Sequence, residues 1–286
     1  MKFVKKFRLK NLIFFLFLLL YSTNIYAEIT RTFVTAIRPG TSGFTNMDGN
    51  VSVRDALENP FGVFVSPDGK TVINVNNTTS SNHRCLTQLE LSTPFELSTA
   101  TLVEETNILN TIAGQSGGRD DCHDVFISPN GLNMSVTNEQ GLIYDFNLVT
   151  PFQLKGATLR GFDNVVRGDD ILFNNDGTKM FAIDVAGDNL KEYTTASPFS
   201  SEDLTIINTV DLTSEAVIDG TESAMDLYFD ETGQTLIILG NDTEDGEHDD
   251  TIFQFSLSVA FDTTTLTLVG SSVISGYDGT EDNSDA

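Results

Sequence analysis

The chain has 286 residues, with 41 acidic residues against 16 basic ones and a formal net charge of −25. A surface of that sign repels polyanions, which excludes nucleic acid and makes an anionic lipid surface a poor partner. Two cysteines exclude a disulfide-dense scaffold, and three histidines without ligand-like spacing argue against zinc.

Residues 1–27 read as a signal peptide. Lys2, Lys5, Lys6, Arg8 and Lys10 form a basic start, Leu12 to Leu20 an apolar stretch, and Ala27 a small residue suited to cleavage. The stretch is short for a bilayer span, so no stable membrane anchor is expected. Removal of this segment leaves 11 basic against 41 acidic residues, a net charge of −30. The expected destination is the periplasm or the exterior of a bacterial cell. There an even pair of cysteines, Cys85 and Cys122, predicts one disulfide.

Residues 28–58 form an N-terminal segment. Within it, Ile29 to Ile37 alternates apolar and polar residues and is a candidate ring-closing strand. Asn46 to Asp55 has the look of a calcium loop, but its first ligand position is Phe44, which carries no side-chain oxygen.

From residue 59 to 277 one pattern recurs four times. The segments GVFVSPDG, DVFISPNG, DILFNNDG and DLYFDETG end at Gly69, Gly131, Gly177 and Gly233, spaced 62, 46 and 56 residues apart. Apolar residues six and four positions before each glycine share one strand face. The polar turn and glycine then predict a hairpin into VINV, MSV, MFAI and LIIL. A second signature follows in each repeat, LSTPF, LVTPF, TASPF and LSVAF, with Phe95, Phe152, Phe199 and Phe261 each six residues ahead of a threonine. An alternating run precedes each phenylalanine and a threonine-rich strand follows it. Four strands per repeat, without helical periodicity, predict an all-β chain. A β-propeller has repeats of this length. The expected blades are about 59–113, 114–160, 161–217 and 218–277.

Asn241 to Asp250 reads as an acidic surface loop, and residues 278–286 repeat the lead-in DGTE of the fourth unit. The chain thus stops where a fifth repeat would begin. That predicts an incomplete ring with exposed edge strands, the alternative being an acidic tail on a finished four-bladed ring. A closed ring would be a monomer.

The segments FVSPDGKTVINV and FISPNGLNMSV resemble the S-P-D-G-K repeat of exported bacterial β-propellers, of the YVTN, lactonase-like and Tol-system kinds. The resemblance implies the fold over nearly all of the chain after the signal segment. It implies little about activity, because propellers host hydrolases, lyases, scaffolds and receptors. Repeat three lacks the turn proline, and repeat four has Ala260 in place of the proline before phenylalanine.

Seven residues before each turn glycine stand Gly62, Asp124, Asp170 and Asp226, and Asp285 has the same phase in the tail. First strands of propeller blades line the central channel. Converging carboxylates there would suit Ca²⁺ or Mg²⁺, whereas the same residues can cap the loops that lead into their strands. His123 adjoins Asp124 but no G-x-S-x-G elbow occurs, so His123 is expected in an exposed loop and no catalytic residue is assigned. The function expected first is an exported binding or scaffold module for a protein or carbohydrate ligand. A divalent-metal-dependent hydrolase or lyase comes second, and a piece of a larger surface adhesin third.

Overall fold

In the computed structural model the described residues are 60–76, 85–115, 121–138, 140–163, 168, 170–184, 188–213, 222–242 and 250–274. The signal segment, Ile29 to Ile37, Asn46 to Asp55, residues 243–249 and the tail lie outside them.

The described chain is all-β, a β-propeller of four antiparallel four-stranded blades. Blade one holds β1 (Pro60–Val65), β2 (Thr71–Asn76), β3 (Leu86–Leu91) and β4 (Ala100–Thr106). Blade two holds β5 (Cys122–Ile127), β6 (Asn133–Asn138), β7 (Ile143–Asn147) and β8 (Thr158–Asp163). Blade three holds β9 (Asp170–Phe173), β10 (Lys179–Asp184), β11 (Asn189–Thr194) and β12 (Thr205–Asp211). Blade four holds β13 (Glu222–Phe229), β14 (Thr235–Asp242), β15 (Asp250–Leu257) and β16 (Leu266–Ile274). One helical turn, Ile108–Thr111, follows β4 and is capped by the side chain of Asn107. The chain divides into two compact units. One carries most of blades one and two, and the other carries blades three and four together with residues 140–143 and the end of β8, Phe162 and Asp163.

The local chemistry of the hairpins explains why the blades form. The polar residue three before each turn glycine accepts, through its side-chain oxygen, the backbone N–H two residues after that glycine. The four bonds run from Thr71, Asn133, Lys179 and Thr235 to Ser66, Ser128, Asn174 and Asp230, at 2.9–3.0 Å. A side chain thus does the work of a backbone partner at each tight turn.

The two repeated signatures meet within each blade. The backbone N–H of Phe95, Phe152, Phe199 and Phe261 donates to the carbonyl of Gly69, Gly131, Gly177 and Gly233, at 2.8–3.0 Å. Each ring then packs against its glycine. At Gly131, φ is +76° and a β-carbon would stand 2.8 Å from the Phe152 ring, so the position admits no side chain. The phenylalanines themselves sit in the left-handed region, at φ between 56° and 63°. Such strain persists only where surroundings enforce it, and here the glycine bond and ring packing do so. The clamp ties the first hairpin of a blade to its third, which fixes four strands as one object.

The cores follow strand alternation. In blade one Val65, Val72, Leu89, Leu91 and Leu97 are buried together. In the second unit Phe181, Ile183, Leu190, Leu227, Phe229, Leu236, Ile238, Phe253 and Phe255 form one cluster. Phe181 and Phe229 stand 4.6 Å apart between centroids. Each such side chain contributes about 1.5–3 kcal/mol by leaving water, and this accounts for the cohesion between blades three and four.

Candidate functional site

The repeated position lies on the first strand of each blade, held by Gly62 in blade one and by Asp124, Asp170 and Asp226 in the others, and in blades one, two and four it stands next to an irregularity in pairing with the second strand. The register slips between Pro60 and Gly62, between Cys122 and Val125, and between Ala224 and Asp226. A bulge re-aims side chains locally, and here it falls beside the repeated position.

Asp170 is buried, 5% exposed, and its Oδ2 accepts the backbone N–H of Leu227 at 2.7 Å. The carboxylate therefore reaches across to the first strand of the next blade, beside Asp226. Asp226 itself is half-buried on β13. In the first unit, Asp124 is buried and its backbone N–H donates to the buried Thr137 hydroxyl at 2.9 Å. Its carboxylate lies against Gly62: a β-carbon there would begin 2.9 Å from Oδ1 of Asp124 and 3.3 Å from the His123 carbonyl. This is why the repeat breaks at residue 62. An aspartate at that position would meet the carboxylate of the next blade. Among the described residues, no group of three or more His, Cys, Asp or Glu side chains is gathered as a cation would need. His123 is not in a loop as expected: it lies within β5 and is half-buried, because the strand starts at Cys122.

Cys85 and Cys122 are bonded, with Cα atoms 5.2 Å apart, and join the start of β3 to the start of β5. Their 37-residue separation makes this a link between successive blades.

A second set of polar residues, seven positions before each clamp phenylalanine, was not singled out from the sequence. These are Gln88, Asp145, Glu192 and Gln254 on the third strands. In blade one, Oε1 of the fully buried Gln88 accepts the backbone N–H of Leu154 at 2.9 Å. Its Nε2 donates to Gln153 at 2.7 Å and to Glu90 at 3.0 Å. In blade three, Oε2 of Glu192 accepts the backbone N–H of Thr263 at 2.8 Å and the Thr263 hydroxyl at 2.6 Å. Oε1 of Glu192 pairs with Lys179 at 2.6 Å, and Lys179 also donates to the Phe261 carbonyl at 2.7 Å. Leu154 and Thr263 each stand two residues after a clamp phenylalanine, so the same joint recurs in both units. Asp145, also fully buried, accepts from Ser135 at 2.6 Å and lies 3.4 Å from the guanidinium of Arg160. A polar position recurring in an otherwise apolar alternating run was the available signal, visible only after aligning repeats on the phenylalanine.

Several carboxylates have ionisation behaviour set by turn geometry. Asp68 is held below its ordinary value by the Ser66 hydroxyl, and Asp176 and Asp262 by the hydroxyls of Thr178 and Thr264. Burial, with Asp163 and Asp184 nearby, pushes the Tyr193 phenol up to about 12. All four belong to turns or to the core. No described helix is long and apolar enough to cross a membrane.

No family model matches the chain, and no curated protein matches its sequence. Solved structures do resemble it. The periplasmic gluconolactonase of Pseudomonas aeruginosa is 15% identical over 76% of this chain and 58% of its own, with a TM-score of 0.50. A protein of unknown function from Desulfotomaculum acetoxidans is 18% identical over 74% of this chain and 55% of its own, at 0.41. A candidate 6-phosphogluconolactonase from Bacteroides fragilis is 18% identical over 75% of this chain and 71% of its own, at 0.48. The chain spans a little over half the length of the first two. At such identities the likeness is one of fold.

Proposed function

We propose that the chain is an exported β-propeller acting as a binding or scaffold module for a protein or carbohydrate ligand. The observation that most supports this reading is the use made of Asp170. A metal ligand or a general base must present its lone pairs to a cation or a substrate proton. Oδ2 of Asp170 is committed to the backbone of the next blade. The Asp170 carboxylate thus reads as joinery between blades. The Cys85–Cys122 bond and the basic-then-apolar N-terminal segment both suit an oxidising compartment outside the cytoplasm.

The test is calorimetry of the full chain with Ca²⁺ and Mg²⁺, run beside glycan and protein arrays. Array binding without saturable metal heat at millimolar concentration is expected. Saturable heat that disappears in both Asp170→Asn and Asp226→Asn would overturn this reading and restore a metal site.

The second reading is a metal-dependent hydrolase or lyase. Its motive is the likeness to the Pseudomonas aeruginosa gluconolactonase, which makes a sugar lactone the first substrate to assay. Metal-dependent turnover above the solution rate would favour it over a binding module.

A further inference from the structure

Among the described residues, the fourth strand of each blade is the outer one, paired on one side with the third. An outer strand offers a free row of backbone donors and acceptors, and natural sheets guard such edges with charge, proline or brevity. Three of the four are guarded here. β4 carries Glu104 and Glu105, β8 carries Arg160 and Asp163, and β12 carries Asp211 and is touched by the next blade through the Asn208–Thr263 bond at 2.9 Å.

β16 differs from them. At nine residues, Leu266–Ile274 is the longest of the outer strands, and its sequence LTLVGSSVI has neither charge nor proline. Every residue from Thr267 to Ser272 is exposed, including Leu268 at 40% and Val269 at 59%. A β-carbon at Gly270 would meet nothing within 4 Å. The bulge at Val269, between the Phe255–Leu268 and Gln254–Gly270 pairs, leaves a regular stretch from Gly270 onward paired with β15.

We propose that β16 is a docking strand through which two copies of this chain pair edge to edge, antiparallel, across blade four. Antiparallel pairing of one strand with its own copy is self-complementary, as a two-fold interface requires. Charge argues for a second copy and for this place. A chain of net charge −25 repels itself over most of its surface, and an uncharged strand exposed from Thr267 to Ser272 is where two copies approach at least cost. The uncharged edge offers nothing to steer in a basic partner, whereas backbone bonds and the paired Leu268 and Val269 side chains serve a like strand. On this proposal the chain pairs with its own copy, where ring closure alone predicts a monomer.

Sedimentation velocity on the full chain, from low to high protein concentration and from low to high salt, tests the proposal. A monomer–dimer equilibrium is expected, and salt should tighten it by screening the shared negative charge. Val269→Glu and Ser271→Glu each place two like charges across the two-fold and should weaken the dimer about tenfold or more. Thr101→Glu, on the exposed face of β4, should leave it unchanged. Both strand variants alter exposed side chains, so an unchanged circular dichroism spectrum and melting point show that the fold is intact. A monomer at every concentration and salt, or a dimer indifferent to both β16 variants, overturns the proposal.

Discussion

The joint between blades one and two and the joint between blades three and four use the same geometry with different chemistry. In both, a buried polar side chain on a third strand receives the backbone N–H two residues after the next clamp phenylalanine. The first joint is built from an amide, Gln88, with Gln153 and Glu90 around it, and is stapled by Cys85–Cys122. The second uses an ion pair, Glu192 with Lys179, and the inner Asp170–Leu227 bond, backed by the Phe181, Phe229 and Phe261 rings. Where the first joint has the covalent link, its inner position is a glycine. Where the second lacks the link, the inner position is an aspartate that reaches across. The contrast shows that the fold specifies which backbone groups must be satisfied and leaves open what satisfies them.

Breaking the covalent link should have the largest effect. Cys85→Ser with Cys122→Ser opens a loop of 37 residues and should cost about 4 kcal/mol of stability in urea titration. Two free thiols in the unreduced wild-type chain would refute the link itself. Glu192→Ala comes next. It leaves Lys179 without its carboxylate and strands the Thr263 N–H, for a loss of about 3 kcal/mol. Lys179 keeps some water contact, so the lower end of the range applies. Gln88→Ala removes a neutral acceptor and should cost about 1–2 kcal/mol. Equal losses at the two positions would erase the distinction between charged and neutral joints.

The inner position sharpens the comparison further. Asp170→Ala orphans the buried Leu227 N–H and should cost about 1–3 kcal/mol, while Asp170→Asn keeps an acceptor and should cost less. Gly62→Asp, which merely restores the repeat, should destabilise the first unit, since its β-carbon starts 2.9 Å from Asp124 Oδ1. A stabilised Gly62→Asp chain would show that the glycine is not there to make room.

The smallest effects are those of pH. Asp68, Asp176 and Asp262 have folded values below their ordinary 3.8. Their contribution is complete above that pH and is lost as acid carries the solution down through the depressed values. Two of the three lie in the second unit, and Asn130 takes the place of Asp68 in blade two, so Asp176→Asn with Asp262→Asn should flatten the acid limb more than Asp68→Asn. On the alkaline side, Tyr193 adds stability that is whole below its ordinary 10.0 and lost as pH rises toward about 12. Tyr193→Phe should remove that alkaline dependence, measured by melting across the range.

The blades were legible in the sequence because each strand and turn is a local matter. Val63 with Val65, Gly69 and the run around Phe95 announce a strand, a turn and a second turn without reference to one another. That Phe95 covers Gly69 was not legible, because the contact joins two hairpins and depends on a left-handed φ of 61° that a phenylalanine sequence does not advertise. The aspartates show the same limit. Their recurrence marks positions 124, 170 and 226, but the bond from Leu227 to Asp170 spans 57 residues, and no pattern within one strand reveals which way a carboxylate turns. Glu192 was hidden for another reason. It looks like one more charge in an acidic chain until burial to 1% exposure separates it from the rest.

The clamp of phenylalanine on glycine bears on how such a chain can grow. Its two halves are 26, 21, 22 and 28 residues apart in the successive blades, yet the contact is the same. Length changes are absorbed in the second and third strands and the connection between them, away from the clamp. Each blade therefore behaves as a cassette whose internal wiring survives insertion and copying. A duplicated stretch of gene would deliver a working blade at once, leaving selection to rewrite only the few residues that meet its neighbours.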